Sequence, residues 1–520
     1  MAIMNSSIEK KLWDSADALR TNSKLKSTEY ATPVLGLIFL RFADYRFGLA
    51  QQRIDKELAG GRRQPSKIDY QKQGVLYLPA SARYDYLLSL PESEDIQSAV
   101  TQAMKYIEDE NPSLKDVLPK QYRRVPKEIL TALLKTFSEI EMRENNGDTF
   151  GAIYEYFLGK FALSEGQKGG EFFTPTSLVR LIVEIIEPYS GLILDPACGS
   201  GGMFVQSAKF VNRHSGNSGA DISIFGQENI ADTVRLCKMN LAVHGLEGDV
   251  KECNTYYQNI HGCYHKMNYI MANPPFNAKG VDKERIKGDK RYPFGVPSND
   301  NANYLWIQEF YSAMKPGEGK AGFVMANSAA DARGTELEIR KKLIQDKAVD
   351  VMISIGPNFF YTVTLPCTLW FLDNVKAKHS SNDTVLFIDA RDIYTQVDRA
   401  HREFTNGQVE CIANIARLYH NKPIENLEGG GDLINELFPE GKYQDIAGLC
   451  KVTTIDEIEK QGWSLNPGRY VGTQTENFDE EDFWETFTSL NTELGLLNEQ
   501  AQQLEKAIEE NFLLLVSGNE

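Results

Sequence analysis

Between about residue 151 and residue 400 of this 520-residue chain, short apolar runs alternate with amphipathic stretches. Runs at 192–195, 222–228, 249–253, 268–272, 321–326, 349–355, 366–372 and 384–390 predict strands. Between many of them apolar residues step at helical spacing, as in Asn301 to Met314 and Glu336 to Gln345. This alternation predicts an α/β domain built on a mostly parallel sheet covered on both faces. Ligands of such folds bind beyond the carboxyl ends of the strands.

The two ends of the chain are patterned differently. Ala31 to Leu49 carries a wide apolar face through Val34, Leu37, Ile38, Phe42 and Phe47, and Pro126 to Arg143 is again helical in spacing. Residues 1–150 therefore read as an N-terminal helical bundle domain, followed by a catalytic domain at 151–475. Gly429-Gly430-Gly431 reads as a flexible surface loop. In 476–520, Phe483, Phe487, Leu490, Leu494, Leu497, Ala501, Leu504 and Ile508 step by four and three. Such a narrow seam predicts a coiled-coil-like helical tail that contacts another subunit. Asp479 to Asp482 suit its N-terminus, and Gly495 interrupts it.

Three segments carry candidate chemistry. The apolar run Tyr269-Ile270-Met271-Ala272 leads into Asn273-Pro274-Pro275-Phe276. Two prolines stop a strand and stiffen its exit. Asn273 offers an amide, Pro274 a carbonyl in a fixed direction, and Phe276 a flat face for stacking. Together they suit an exocyclic amino group on a flat heterocycle. Upstream, Leu192-Ile193-Leu194-Asp195-Pro196-Ala197-Cys198-Gly199-Ser200-Gly201-Gly202 reads as strand, glycine turn and helix start near Met203. Its glycines let backbone approach a ligand, but the spacing fails the dinucleotide fingerprint, which disfavours a nicotinamide-linked oxidoreductase. The next strand ends in Glu228, where doubly wound folds place the acid that takes ribose hydroxyls. Before both stands Glu171-Phe172-Phe173-Thr174-Pro175-Thr176, with Thr174 as expected N-cap and Pro175 in the first turn of a helix through Leu178, Leu181, Ile182, Ile185 and Ile186.

These segments, in this order, resemble an amino-group DNA methyltransferase, and more narrowly the modification (HsdM-type) subunit of type I restriction–modification systems. The narrower likeness spans most of the chain. It includes Leu12-Trp13, Leu35 to Arg41, Gly295-Val296-Pro297, Ala302 to Gln308, Leu386 to Arg391 and Asn466 to Gly472. The resemblance implies a Rossmann-like catalytic domain using S-adenosyl-L-methionine to methylate N6 of a flipped-out adenine in DNA. It implies that Asn273 and Pro274 accept the amino N–H groups, with Pro275 shaping the turn and Phe276 stacking on the base. It implies that Glu171, Phe172, Phe173, Thr174, Pro175 and Thr176 line the cofactor's methionine end, with Asp195, Gly199, Ser200 and Gly201, and that Glu228 holds the ribose. The cofactor's adenine falls to Asn254, with Asp249 as the alternative. Implied partners are DNA, a specificity subunit serving two copies of this chain, and a restriction/translocase subunit. Cytosine N4, a protein glutamine amide and a silent scaffold remain alternatives.

Bulk properties fit. The chain is 42% apolar and 25% charged, unlike a disordered protein. Its net charge of −16 is unusual for a DNA enzyme, so positive charge is either local or supplied by a partner. Lys279, Lys283, Arg285, Lys287, Lys290 and Arg291 follow the Asn273 segment, interleaved with Asp282, Glu284 and Asp289. They read either as a solvated mixed-charge loop or as a loop in which some of them, with Lys287 and Arg291 as the pair to test, touch DNA phosphates. Cysteines at 198, 237, 253, 263, 367, 411 and 450 form neither paired nor zinc-type spacings, which predicts no metal and a cytoplasmic, reduced setting. The polar start has no signal-peptide core, and Val34 to Leu40 is too short to span a membrane.

Overall fold

The computed structural model describes residues 2–23, 27–59, 63–139, 147–165, 174–214, 221–360, 365–376, 383–398 and 401–472, and isolated positions between 488 and 508. The chain forms two compact units, Met1–Val471 and Gly472–Glu520.

In the larger unit the strands are β1 (Gly191–Asp195), β2 (Ile222–Glu228), β3 (Gly248–Glu252), β4 (Tyr269–Ala272), β5 (Lys320–Ala326), β6 (Val349–Ile355), β7 (Cys367–Asp373), β8 (Thr384–Asp389), β9 (Thr395–Asp398), β10 (His401–Glu403) and β11 (Cys450–Thr454). Nine of them make one sheet in the order β11-β8-β6-β7-β5-β4-β1-β2-β3. β1 pairs in parallel with both β2 and β4, β4 with β5, and β6 with β8. β7 is antiparallel to β5 and β6, and β11 to β8. The carboxyl ends of the parallel strands therefore share one edge. β4 and β6 are nearly all buried, as expected of strands covered on both faces.

The helices Ala2–Ser23, Ser27–Glu57, Ile96–Glu110, Lys127–Ser138 and Gly147–Glu165 precede the sheet. They share their own core, in which Leu37, Ile38, Val100, Leu133, Phe137 and Phe157 are fully buried. Each such side chain contributes roughly 1.5–3 kcal/mol. The helix Gly147–Glu165 crosses the expected boundary at 150 and supplies Ile153, Phe157 and Phe161 to this core. Met239 and Val243, from the helix Ala231–Val243 beside β3, join it and dock the helical region to the sheet.

Two local expectations are corrected. The helix Thr176–Ile186 is capped by Pro175, whose carbonyl accepts from Leu178 and Val179 N–H, so Thr174 is not its N-cap. Nor are Gly429 to Gly431 a loose loop. The Glu410 carboxylate accepts from the N–H groups of Leu427, Glu428 and Gly430. A Cβ at Gly430 would lie 2.7 Å from the Gly407 carbonyl oxygen, so the glycines serve close packing against the helix Asn406–Tyr419.

In the smaller unit, positions 501, 504, 505 and 508 are helical, and Leu504 and Ile508 are 63% and 66% exposed. Phe483, Phe487, Leu490, Leu494 and Leu497 of the expected seam lie outside the described residues.

Candidate active site

Four strand ends build the site, and each connection has a traceable cause. β1 stops at Asp195, whose Oδ1 accepts from Ala197 N–H at 3.0 Å in a tight turn. Burial pushes the Asp195 carboxyl well above the usual range, and the nearby Glu228 charge adds to this. The chain then doubles back through Gly199 (φ 50°) and Gly201 (φ 82°), conformations that favour glycine. A Cβ at Gly201 would lie 2.7 Å from Cys237 Sγ, whereas Gly199 and Gly202 face open space. The helix Gly202–His214 starts directly after this turn.

Glu228 ends β2 beside that loop. Its Oε2 accepts from Gly199 N–H at 3.1 Å, and Oε1 accepts from Asn229 and Ile230 N–H at 2.7 and 3.1 Å. The neighbouring Gln227 donates to Thr255 Oγ1 at 2.9 Å, and Thr255 donates to the Pro196 carbonyl at 2.6 Å. One buried relay thus ties the exits of β1, β2 and β3.

Asn254 and Asp249 occupy different ends of β3. Asn254 lies just past its carboxyl end, where its Oδ1 accepts from Tyr256 N–H at 3.1 Å. Asp249 pairs with Phe225 in register, well before Glu228, and meets Lys251 at 2.7 Å and His261 at 3.3 Å.

Asn273 leaves β4 on the same edge. Its Nδ2 donates to Thr174 Oγ1 at 2.8 Å, which fixes the rotation of the amide and hence the direction of Oδ1. Phe276 is half-buried, and its ring meets Phe360 edge-on at 6.1 Å and 86°. Glu171, Phe172 and Phe173 lie outside the described residues. The structure brings Thr174, Pro175, Asp195, Gly199, Ser200, Gly201, Glu228, Asn254 and Asn273 to Phe276 to neighbouring ends of adjacent strands.

Sequence reasoning missed the supports of this turn. Asn277 (φ 55°) follows Phe276, and its Oδ1 accepts from Asn301 at 3.0 Å and from Asn303 at 2.9 Å. Asn303 Oδ1 accepts in return from Asn277 N–H at 2.8 Å. Asn303 opens the buried helix Asn303–Ala313, so the polar start of an otherwise apolar segment was the available signal. Phe360 was signalled only by the aromatic pair Phe359-Phe360 after β6.

The expectation for Arg291 is overturned. The residue is 4% exposed, and its guanidinium is bonded to Asp289 at 2.7 Å and to the carbonyls of Thr255 at 2.6 Å and Tyr256 at 3.1 Å, and lies 3.3 Å from Glu309. It holds the post-β3 turn and faces no phosphate. Burial outweighs the Arg291 attraction at Glu309 and pushes that carboxyl up to about 7. Lys287, by contrast, is exposed.

A mostly parallel sheet thus carries a glycine turn after its first strand, an acid ending the second and an amide–proline turn after the fourth, all on one edge of a doubly wound α/β fold. The family comparisons make the assignment narrower. Residues 145–479 match the model for N-6 DNA methylase, and residues 8–137 match the HsdM N-terminal domain. The chain is 38% identical to the type I restriction enzyme MjaIX methylase subunit of Methanocaldococcus jannaschii, over 96% of this chain and 90% of that one. It is 35% identical to the HindI methylase subunit of Haemophilus influenzae, over 84% and 99%. The fold is similar to that of a type I restriction–modification methyltransferase subunit from Streptococcus thermophilus, with TM-score 0.71, 21% identity and coverage of 90% and 99%. The chain belongs to the N-6 DNA methylases, in the family of type I restriction enzyme methylase subunits.

All seven cysteines are buried and free, and among the described residues no cluster suited to a metal ion occurs. No described helix is long and apolar enough to cross a membrane.

Proposed function

We propose that this chain moves a methyl group from S-adenosyl-L-methionine to N6 of an adenine flipped out of a DNA site that a separate specificity subunit selects. The residues fit that cofactor. Gly199 and Gly202 leave open space beside a glycine turn, and the Glu228 carboxylate at the end of β2 suits ribose hydroxyls. Asn254, past the end of β3, suits the cofactor's adenine better than Asp249, which lies toward the opposite edge. Glu171, Phe172, Phe173, Thr174, Pro175 and Thr176 suit its methionine end. Bound there, the cofactor supplies an electrophilic methyl on a sulfonium.

The chain's own part is positioning. Adenine N6 is a weak nucleophile because its lone pair is delocalised into the ring. Asn273 Oδ1 and the Pro274 carbonyl each accept one amino N–H, which draws the nitrogen toward a tetrahedral state and aims its lone pair. The proton leaves after attack, so no strong base is required. Phe276 stacks on the base, which must leave the duplex to reach it. This is catalysis by orientation and fixed dipoles. The observation that carries the reading is the Thr174–Asn273 hydrogen bond, which orients an amide at the mouth of a stiff proline turn beside an aromatic ring. The exposed Leu504 and Ile508 support a seam in the helical tail for a partner subunit. In the proposed assembly two copies of this chain serve one specificity subunit, and a restriction/translocase subunit joins them.

The test is methylation of duplex DNA with labelled S-adenosyl-L-methionine, with and without the specificity subunit, followed by nucleoside analysis. Label in N6-methyladenine only with both chains present is expected. Label in cytosine overturns the substrate. No label from an assembled, cofactor-binding complex overturns the activity.

A further inference from the structure

Two segments of the family resemblance, Leu386 to Arg391 and Asn466 to Gly472, lie outside the residues proposed for methyl transfer, and the fold brings them together. β8 ends at Asp389, and the short turn Pro467–Arg469 packs across that end. The rings of Phe387 and Tyr470 stack at 4.1 Å, and a Cβ at Gly468 would lie 3.5 Å from an Arg391 amino nitrogen. Asn466 donates to Asp331, just past β5, at 3.2 Å, and Arg469 Nε lies 3.4 Å from the same carboxylate. These residues stand on the carboxyl edge of β5 and β8, the edge that carries Asn273. The backbone of Arg391 also packs on Gly356, in the loop that leads to Phe360 and so to the Phe276 ring.

The two arginines each stand over a carboxylate, Arg391 in a hydrogen-bonded fork and Arg469 in a single longer ion-pair contact. The Asp389 side chain is 7% exposed beneath Arg391, which is 53% exposed and bonded to it at 2.8 Å (Nε) and 2.5 Å (an amino group). Arg469 is 50% exposed over an Asp331 that is 32% exposed. At Arg391 a buried carboxylate below holds the guanidinium with its outer face to solvent, a geometry suited to phosphate oxygens, and Arg469, in the turn packed beside it, adds a second exposed cation. Exposed ion pairs of this kind contribute little to stability by themselves. A base that reaches Phe276 leaves its strand at the rim of this edge. On a chain of net charge −16, whatever phosphate contact the chain itself makes comes from a few placed cations.

We infer that Arg391 and Arg469 form a docking site for backbone phosphates of the duplex flanking the target base, an inference that rests on the DNA reading above. The test is equilibrium binding of duplex DNA to the assembled complex across a salt series, comparing wild type with R391Q/R469Q and R391K/R469K, with cofactor affinity and subunit assembly measured alongside. The Gln pair is expected to weaken DNA binding roughly tenfold and to lower the salt slope by about 1.8, while the Lys pair keeps the slope. Cofactor affinity is expected to be unchanged. Wild-type affinity and slope in the Gln pair overturn the inference alone. Loss of subunit assembly in the Gln pair overturns it in favour of a protein interface. A wild-type complex that binds no DNA overturns the underlying reading as well. If the double variant does not fold, R469Q alone is expected to lower the slope by about 0.9, and an unchanged slope overturns the inference.

Discussion

Asn273 Nδ2 and Thr174 Oγ1 are hydrogen-bonded at 2.8 Å although 99 residues separate them in the chain. The bond joins the segment before the first helix of the catalytic domain to the turn after β4. It also explains why Thr174 does not cap that helix: its hydroxyl orients an amide. Thr174→Val keeps the shape and removes the hydroxyl. The expected result is a fall of about tenfold in single-turnover methyl transfer, the equivalent of one hydrogen bond, with cofactor affinity within about twofold. Thr174→Ser should restore the rate. Equal rates for Val and wild type would remove the orienting role.

Gly199 and Gly201 separate two reasons for a glycine. Gly201→Ala meets both a positive φ and the Cys237 sulfur at 2.7 Å, whereas Gly199→Ala meets positive φ and open space. Gly201→Ala should cost about 1–3 kcal/mol of stability and most of the cofactor affinity; Gly199→Ala should fold with a smaller loss. Thermal unfolding and calorimetric titration with the cofactor distinguish them. Equal behaviour of the two variants would contradict the assignment.

Glu309 makes stability depend on pH. Its carboxyl titrates at about 7 in the fold against 4.5 ordinarily, so the folded state holds a proton that the unfolded state releases. The sign follows: this group's contribution is most favourable at acid pH and is lost as pH rises from about 4.5 through about 7. The stability difference between Glu309→Gln and wild type should therefore grow in favour of Gln between pH 5 and 8, by about 1–3 kcal/mol. A difference independent of pH would refute the shift.

Arg291 and Lys287 should part company. Arg291→Ala removes the partner of Asp289 and Glu309 and three backbone carbonyls, and should destabilise the chain by about 3–5 kcal/mol. Lys287→Glu, at an exposed site, should leave the melting temperature unchanged and lower DNA affinity of the complex at low salt. Unchanged DNA binding in Lys287→Glu would remove this loop from the DNA surface.

The sheet was legible because its strands are short apolar runs separated by helical periodicity; β2 and β6 run over the residues their patterns predict. β9 was not, since Thr395–Asp398 is wholly exposed and leaves no apolar signature. Within the site, Asn273 and Gly199 to Gly201 were legible as local strings with a mechanical reason. Their supports were not. Asn303, Phe360 and Thr255 act through contacts between distant segments, and composition cannot tell a buried polar partner from an exposed one. Arg291 was misjudged for that reason: its neighbours in sequence are exposed lysines, but its neighbours in space are carboxylates and carbonyls.

The most direct measurement is single-turnover methyl transfer by an assembled complex carrying Asn273→Ala, with cofactor and DNA affinities determined on the same preparation. The account predicts a rate lower by about 10²–10³-fold with both affinities close to wild type, because the amide acts on the amino group as it becomes nucleophilic. A rate within about threefold of wild type, with both ligands bound, would contradict it.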